Sequence, residues 1–169
     1  MKAYDEEMHP SVGILSYAIF LRHQMNQEKS PKELEAHFEN MTDPARRQRQ
    51  QATHELGLKS PGAGVALQTV RTVVALLDRC LDNGEWLAGD NLSLADCSVI
   101  PYMVRIRALG FEALWADRPQ VGDWLTRAID FIERLGVSEP WGSAAFAEML
   151  ADCVAKEANE IHRLMAENT

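Results

Sequence analysis

Residues 85–96 read EWLAGDNLSLAD and contain the signals that start a helix. Ser93 is a residue type that caps helices, because its hydroxyl can accept a hydrogen bond from a backbone N–H of the first turn. Asp96, three positions later, can accept in return from the backbone N–H of Ser93, which completes a capping box. Its negative charge also lies at the positive end of the helix dipole. The apolar run that begins at Cys97 therefore predicts a helix that starts immediately after Ser93.

Apolar residues recur at helical spacing on both sides of this predicted start. Before it, such a stripe occupies residues 65–81, and after it, further stripes occupy residues 95–109, 121–135 and 146–165. This spacing predicts amphipathic helices that share one core. No segment shows the strict alternation of apolar and polar residues that indicates a half-buried strand. The sequence therefore predicts an all-α fold.

The front of the chain predicts one apolar helix followed by two polar ones. Ser30-Pro31 with Glu33 has the pattern of a capped helix with proline at its first position, and Thr42-Asp43-Pro44 starts a second helix. Because residues 30–58 hold few apolar side chains, we expect these two helices to form a polar insertion on the surface of the bundle. No repeat or linker divides the chain, so we expect a single domain over residues 1–169.

Composition and charge argue against several classes of function. The formal net charge is -8, which disfavours binding to nucleic acid, and no apolar run approaches the roughly 20 residues of a membrane span. The three cysteines are Cys80, Cys97 and Cys153. Their wide spacing and apolar settings predict buried, reduced thiols in a cytoplasmic protein, and neither they nor the histidines have metal-ligand spacing. We therefore expect no nucleic-acid partner, no membrane span and no metal site.

The order of these motifs resembles the C-terminal helical domain of glutathione transferases. The resemblance rests on WLAGD and LSLAD within residues 86–96, on Pro101-Tyr102, and on RPQVGDWL at residues 118–125, which is similar to the family's entry into the next helix. The opening KAYDEEMHPSVG at residues 2–13 is similar to the first helix of a bacterial subgroup whose members carry a polar helical insertion. The resemblance implies a glutathione transferase C-terminal-like helical bundle, a homodimer, and glutathione as co-substrate.

The thioredoxin-like domain that precedes this bundle in glutathione transferases has no counterpart in these residues. In that family it supplies the group that activates the glutathione thiol and the cis-proline that holds the glutathione backbone. We therefore expect either a part of a longer protein or a lone C-terminal domain. On both interpretations we expect no catalytic residue within these 169 residues, and a glutathione site that lies largely in the other domain.

The resemblance also implies which residues face a substrate, because the first helix lines the electrophile pocket in related proteins. The candidate substrate-binding residues are Tyr4, His9, Gly13, Tyr17, Tyr102 and Arg105. A glycine leaves room for a flat ligand, and the polar side chains can form hydrogen bonds with it. Core packing is the ordinary alternative for Tyr17, and solvation is the alternative for His9. Arg22 and His23 could orient an acidic substrate or carry an ordinary helix-end charge.

The sequence leaves two functions open. The first is the helical, electrophile-binding domain of a glutathione transferase-like protein, which conjugates glutathione to a small apolar electrophile or uses it for reductive cleavage. The second is a stand-alone protein–protein interaction module of the same fold without catalysis. An exposed apolar face would mark the second function, but such a face is expected on either interpretation, because a thioredoxin-like domain would pack on it.

Overall fold

The computed structural model of the protein describes residues 2–136 and 144–167, with side chains from Glu6 onward. The regular structure in these ranges is helical, and the prediction of an all-α fold is confirmed. The helices are α1 (Lys2–Ser16), α2 (Arg22–Glu28), α3 (Pro31–Glu39), α4 (Pro44–Leu56), α5 (Pro61–Leu81), α6 (Leu94–Ala108), α7 (Pro119–Arg134) and α8 (Ala144–Glu167). Short 3-10 turns occupy Gly57–Lys59 and Glu112–Trp115.

The helix that begins with α1 continues into α2 through one wider turn. This π turn spans Tyr17–Leu21, and its first four side chains are buried. A π turn adds one residue to the helical repeat, so it changes the direction in which the following side chains point. Tyr17 and Phe20 therefore contact different neighbours. Tyr17 contacts His54 of α4, and Phe20 contacts Phe146 of α8.

The core lies mainly between α5 and its neighbours α1 and α7. The fully buried side chains include Leu15 of α1, Leu67 and Val70 of α5, and Trp124 of α7. A buried side chain of this size typically contributes about 1.5–3 kcal/mol through the hydrophobic effect. The helices predicted from apolar spacing therefore pack against one another through their apolar faces.

The two polar helices begin at the caps that the sequence contains. Ser30 and Glu33 form a capping box at the start of α3, and Oδ1 of Asp43 accepts hydrogen bonds from the first backbone N–H groups of α4. Only Phe38 of α3 and Thr53 of α4 are buried, so this helix pair is largely exposed.

The expectation of three buried cysteines is wrong. Cys153 is buried and Cys80 is half-buried, but Cys97 is exposed. The reason lies in the orientation of α6, whose inward positions are Asp96, Val99 and Ile100. Because Asp96 points into the protein, the next residue along the helix faces solvent.

Asp96 accepts four hydrogen bonds and has no exposed surface. Its Oδ2 accepts from the backbone N–H of Ser93 at 2.9 Å and from the Ser93 hydroxyl at 2.6 Å. Its Oδ1 accepts from the backbone N–H of Leu87 at 3.0 Å and from Nε1–H of Trp124 at 2.8 Å. This carboxylate therefore connects the loop before α6, the start of α6 and the middle of α7.

The loop before α6 contains a tight turn that also packs on α7. Trp86 and Gly89 exchange two backbone hydrogen bonds, of 2.8 and 3.0 Å. Arg127 of α7 donates to the carbonyl of Glu85 at 2.6 Å, and its guanidinium lies over the Trp86 ring. A side chain at Gly84 would place its Cβ 2.5 Å from the backbone of Gly89, so the turn requires a glycine there.

The pKa of Asp96 reflects these contacts. Burial raises it, but the hydrogen bonds from Leu87, Ser93 and Trp124 together outweigh burial, and the pKa lies below its ordinary value. The carboxylate therefore remains charged at neutral pH and continues to accept all four hydrogen bonds.

We predict that Asp96→Ala lowers the free energy of unfolding by about 3 kcal/mol, because it leaves buried donors of Leu87 and Trp124 without an acceptor. Ser93→Ala should cost about 1 kcal/mol, the usual effect of losing a cap. The matched control is Asp90→Ala, which removes an exposed carboxylate from the same loop. Urea denaturation measures all three variants. If Asp96→Ala and Asp90→Ala lowered the free energy of unfolding equally, Asp96 would not have this central role.

Candidate functional site

Two predicted site residues meet where α1 packs against α6. The Tyr102 hydroxyl lies 3.4 Å from Nδ1 of His9, and the two rings are arranged edge to face with centroids 6.0 Å apart. Gly13 is exposed and lies one helical turn beyond His9. A Cβ at Gly13 would have no atom of the described residues within 4 Å, so these residues leave the space above this glycine open. We call the surface formed by His9, Gly13, Tyr102, Arg105 and Phe146 the α1/α6 groove.

The other end of the α1/α6 groove is an aromatic and cationic stack. The guanidinium carbon of Arg105 lies 5.3 Å from the centre of the Phe146 ring, which is a cation–π distance. Phe146 in turn packs edge to face on Phe20 of the π turn, with centroids 5.2 Å apart. Arg105 lies one turn after Tyr102 on α6, so both side chains belong to the same side of that helix.

Tyr17 has a different environment from the other candidates. It is buried, and its hydroxyl lies 3.0 Å from Nδ1 of His54 on α4. The other ring nitrogen of His54, Nε2, lies 3.0 Å from Oδ1 of Asn26. Because an amide oxygen only accepts, Nε2 carries the proton and Nδ1 accepts from the Tyr17 hydroxyl. Tyr17 therefore anchors α4 to the long first helix.

The side chain of the remaining candidate on α1, Tyr4, lies outside the described residues. The backbone of Tyr4 belongs to the first turn of α1. Its role in substrate binding stays a prediction.

The pKa values of Tyr17 and His54 fit this arrangement. Burial raises the pKa of Tyr17, so its hydroxyl remains protonated and able to donate. Burial lowers the pKa of His54, and the positive charge of Arg22 lowers it further. The nearby Glu55 acts in the opposite sense, while His37 and His23 add to the decrease. Both shifts favour the neutral hydrogen-bonded pair.

Arg22 and His23 are occupied by a carboxylate of the same chain. Nη2 of Arg22 donates to Oε1 of Glu157 on α8, and Nε2 of His23 lies 2.8 Å from the same oxygen. Nε of Arg22 also donates to the carbonyl of Ala18 at 2.6 Å. A Cβ at Gly57 would lie 2.7 Å from this guanidinium, and Gly57 has a φ of 57°. These contacts describe an ion cluster between α2, α8 and the end of α4, in which Arg22 and His23 already pair with a carboxylate of the chain.

The sequence alone does not predict several of the residues that contact the candidate residues. Glu157 interrupts the apolar stripe of α8 between Cys153 and Ile161, and such a charged residue at a buried position could have indicated an ion pair. The apolar spacing of the sequence places Phe146 only in the last apolar stripe. Its contact with Arg105 had no local signal, because it depends on how α6 and α8 pack.

The buried Cys153 is poorly suited to covalent chemistry. Burial raises the pKa of the Cys153 thiol, which suppresses the reactive thiolate. No cluster of metal-ligating side chains occurs in residues 2–136 and 144–167. The α1/α6 groove can thus bind and orient a ligand through its aromatic, hydroxyl and guanidinium groups.

A separate cavity of about 290 Å³ lies beside the start of α5 and the end of α8. Its cations are Lys59 and Arg163, and both pair with Glu160, at 3.2 and 2.8 Å. Because these charges are already neutralised within the chain, the α1/α6 groove is the better candidate site.

The sequence comparison agrees with this fold. Residues 26–127 match the family described as glutathione S-transferase, C-terminal domain. The match covers more than half of the chain, and the protein belongs to this family. The matched range includes α3 to α6 but begins after α1. No curated protein and no solved structure matches the chain significantly.

We predict that the protein loses stability as the pH falls below about 6.5, the ordinary pKa of histidine. Because the pKa of His54 is lowered in the folded state, the unfolded chain binds more protons between the two pKa values. The variant His54→Gln should show a weaker decrease in the free energy of unfolding between pH 7 and pH 5.

His162→Gln is the matched control, since it removes an exposed histidine of α8. Urea denaturation at several pH values checks this prediction. If His54→Gln and the unmodified protein show the same pH dependence, His54 does not contribute as described.

Proposed function

We propose that this chain is the helical, electrophile-binding domain of a glutathione transferase-like protein. In this proposal a small apolar electrophile binds in the α1/α6 groove and reacts with glutathione, by conjugation or by reductive cleavage. The observation that carries the proposal is the exposed Gly13, one helical turn after His9, together with the His9–Tyr102 pair and the Arg105–Phe146 stack on neighbouring elements. Its family membership supplies the context for this groove.

The chemistry of the groove suits a flat ligand with a polar substituent. Aromatic rings of Tyr102 and Phe146 can contact the faces or edges of a ligand ring, with centroid distances of about 4.5–7 Å. The ring of His9 is exposed, so it can exchange its long hydrogen bond with Tyr102 for one with a ligand. Because Gly13 has no side chain, a ligand can approach the backbone of α1 there.

The described residues do not fit glutathione itself. They contain no cis peptide bond and no strand whose edge could pair with a peptide backbone. In this proposal glutathione binds to a thioredoxin-like domain, as in glutathione transferases, and the described residues supply the electrophile site without a catalytic group. The role of the helical domain is to bind and orient the electrophile.

The proposal includes a homodimer in the cytoplasm. The family fold supports the dimer, and the three unpaired cysteines are compatible with a reducing compartment. Within the described ranges, no helix is long and apolar enough to cross a membrane. Analytical ultracentrifugation tests the dimer directly.

The described surface gives no separate support to the alternative function, an interaction module. Its large exposed apolar side chains lie on different elements, so no single helix presents a stripe of them. They are Leu21, Leu56, Val65, Leu94, Leu135 and Met149. Scattered exposed apolar residues are normal for folded proteins and do not indicate a docking face.

We predict that Gly13→Leu weakens the binding of a neutral aromatic probe, 1-naphthamide, by about tenfold or more, because the side chain fills the open space. Gly13→Leu should not destabilise the protein. A glycine inside a helix costs about 1 kcal/mol relative to a good helix former, and a Cβ at Gly13 meets no atom. NMR titration measures the affinity, and thermal denaturation measures the stability.

Ala155→Leu is the control, because it adds the same side chain at an exposed position of α8. It should leave the binding of 1-naphthamide unchanged. Binding that is equal in Gly13→Leu and Ala155→Leu would show that the ligand occupies another surface, and the proposal would then fail.

A further inference from the structure

Arg105 differs from the other half-buried arginines of the described chain. There are seven of these arginines, and six of them donate hydrogen bonds to carbonyl or carboxylate oxygens. The six are Arg22, Arg47, Arg71, Arg118, Arg127 and Arg163. The guanidinium of Arg105 has no such acceptor among the described residues, and its contact is the face of the Phe146 ring.

This environment leaves the hydrogen-bonding edge of the guanidinium available. Stacking on an aromatic ring uses the face of the guanidinium plane, and its N–H groups project from the edges of that plane. Arg105 is half-buried, and none of its nitrogen atoms is both fully buried and unpaired. A planar guanidinium held in this way can donate two parallel hydrogen bonds to a carboxylate.

The same side of α6 supplies the surface for the rest of such a ligand. Tyr102 lies one turn before Arg105, and Gly13 leaves open space beside the contact of Tyr102 with His9.

We propose that the α1/α6 groove selects flat aromatic compounds that carry a carboxylate, with Arg105 as the residue that binds the carboxylate. This inference rests on the proposed function, because it names the substrate class of the same groove. The preference for an anionic ligand has to come from groups within the groove. The formal net charge of -8 repels anions from the protein as a whole, so an unpaired cation within the groove is needed to reverse that repulsion.

The test compares 1-naphthoate with 1-naphthamide, which have the same ring and differ in charge. NMR titration of the intact chain should give an affinity for 1-naphthoate about tenfold higher than for 1-naphthamide, as expected for a charge-assisted bidentate contact. Arg105→Met should remove this preference, so that the variant binds 1-naphthoate and 1-naphthamide with equal affinity. Arg107→Met is the matched control, because it removes the same charge from an exposed position of the same helix, and it should keep the preference.

The possible outcomes separate the inference from the function on which it rests. Equal affinity of the unmodified protein for both probes would overturn the inference and leave the electrophile-binding function intact. Retention of the preference in Arg105→Met, or its loss in Arg107→Met, would also overturn the assignment to Arg105. Failure of both probes to bind the unmodified protein would overturn the proposed function and the inference together.

Discussion

The buried carboxylate of Asp96 links the sequence of this protein most directly to its bundle. It caps α6 through Ser93, holds the preceding loop at Leu87 and binds the indole of Trp124 on α7. An unpaired carboxylate at this depth would be strongly unfavourable, and the four donors outweigh that cost. Since α6 carries Tyr102 and Arg105, the same contacts that start this helix also place one wall of the candidate site.

The long first helix supplies the other wall, and its π turn separates two roles. Before the turn, His9 and Gly13 face the α1/α6 groove. At the turn, Tyr17 points to His54 of α4, while Phe20 packs against Phe146 beside the groove. π turns inside α-helices are frequent at functional sites. Here the turn lets one helix anchor the polar helix pair and support a ligand surface at the same time.

The sequence was sufficient for the features that depend on local chemistry. Ser30 with Glu33, and Ser93 with Asp96, have the spacing of reciprocal caps, and both caps are present in the structure. Contacts between distant segments had no such signal. The donation from Trp124 to Asp96 and the stack of Arg105 depend on how helices pack, and periodicity predicts only which face is apolar. The exposed Cys97 shows this limit, because the direction of Asp96 determined the inward face of α6.

In the proposed function, a ligand binds in the α1/α6 groove of a bundle that belongs to the glutathione transferase C-terminal domain family. Intermolecular NOEs between bound 1-naphthamide and the protein measure this location most directly. Binding in the α1/α6 groove should give NOEs from the naphthyl protons to Gly13, to the Tyr102 ring and to the Phe146 ring. NOEs confined to side chains of α3, α4 or α7, with none to these three residues, would contradict it.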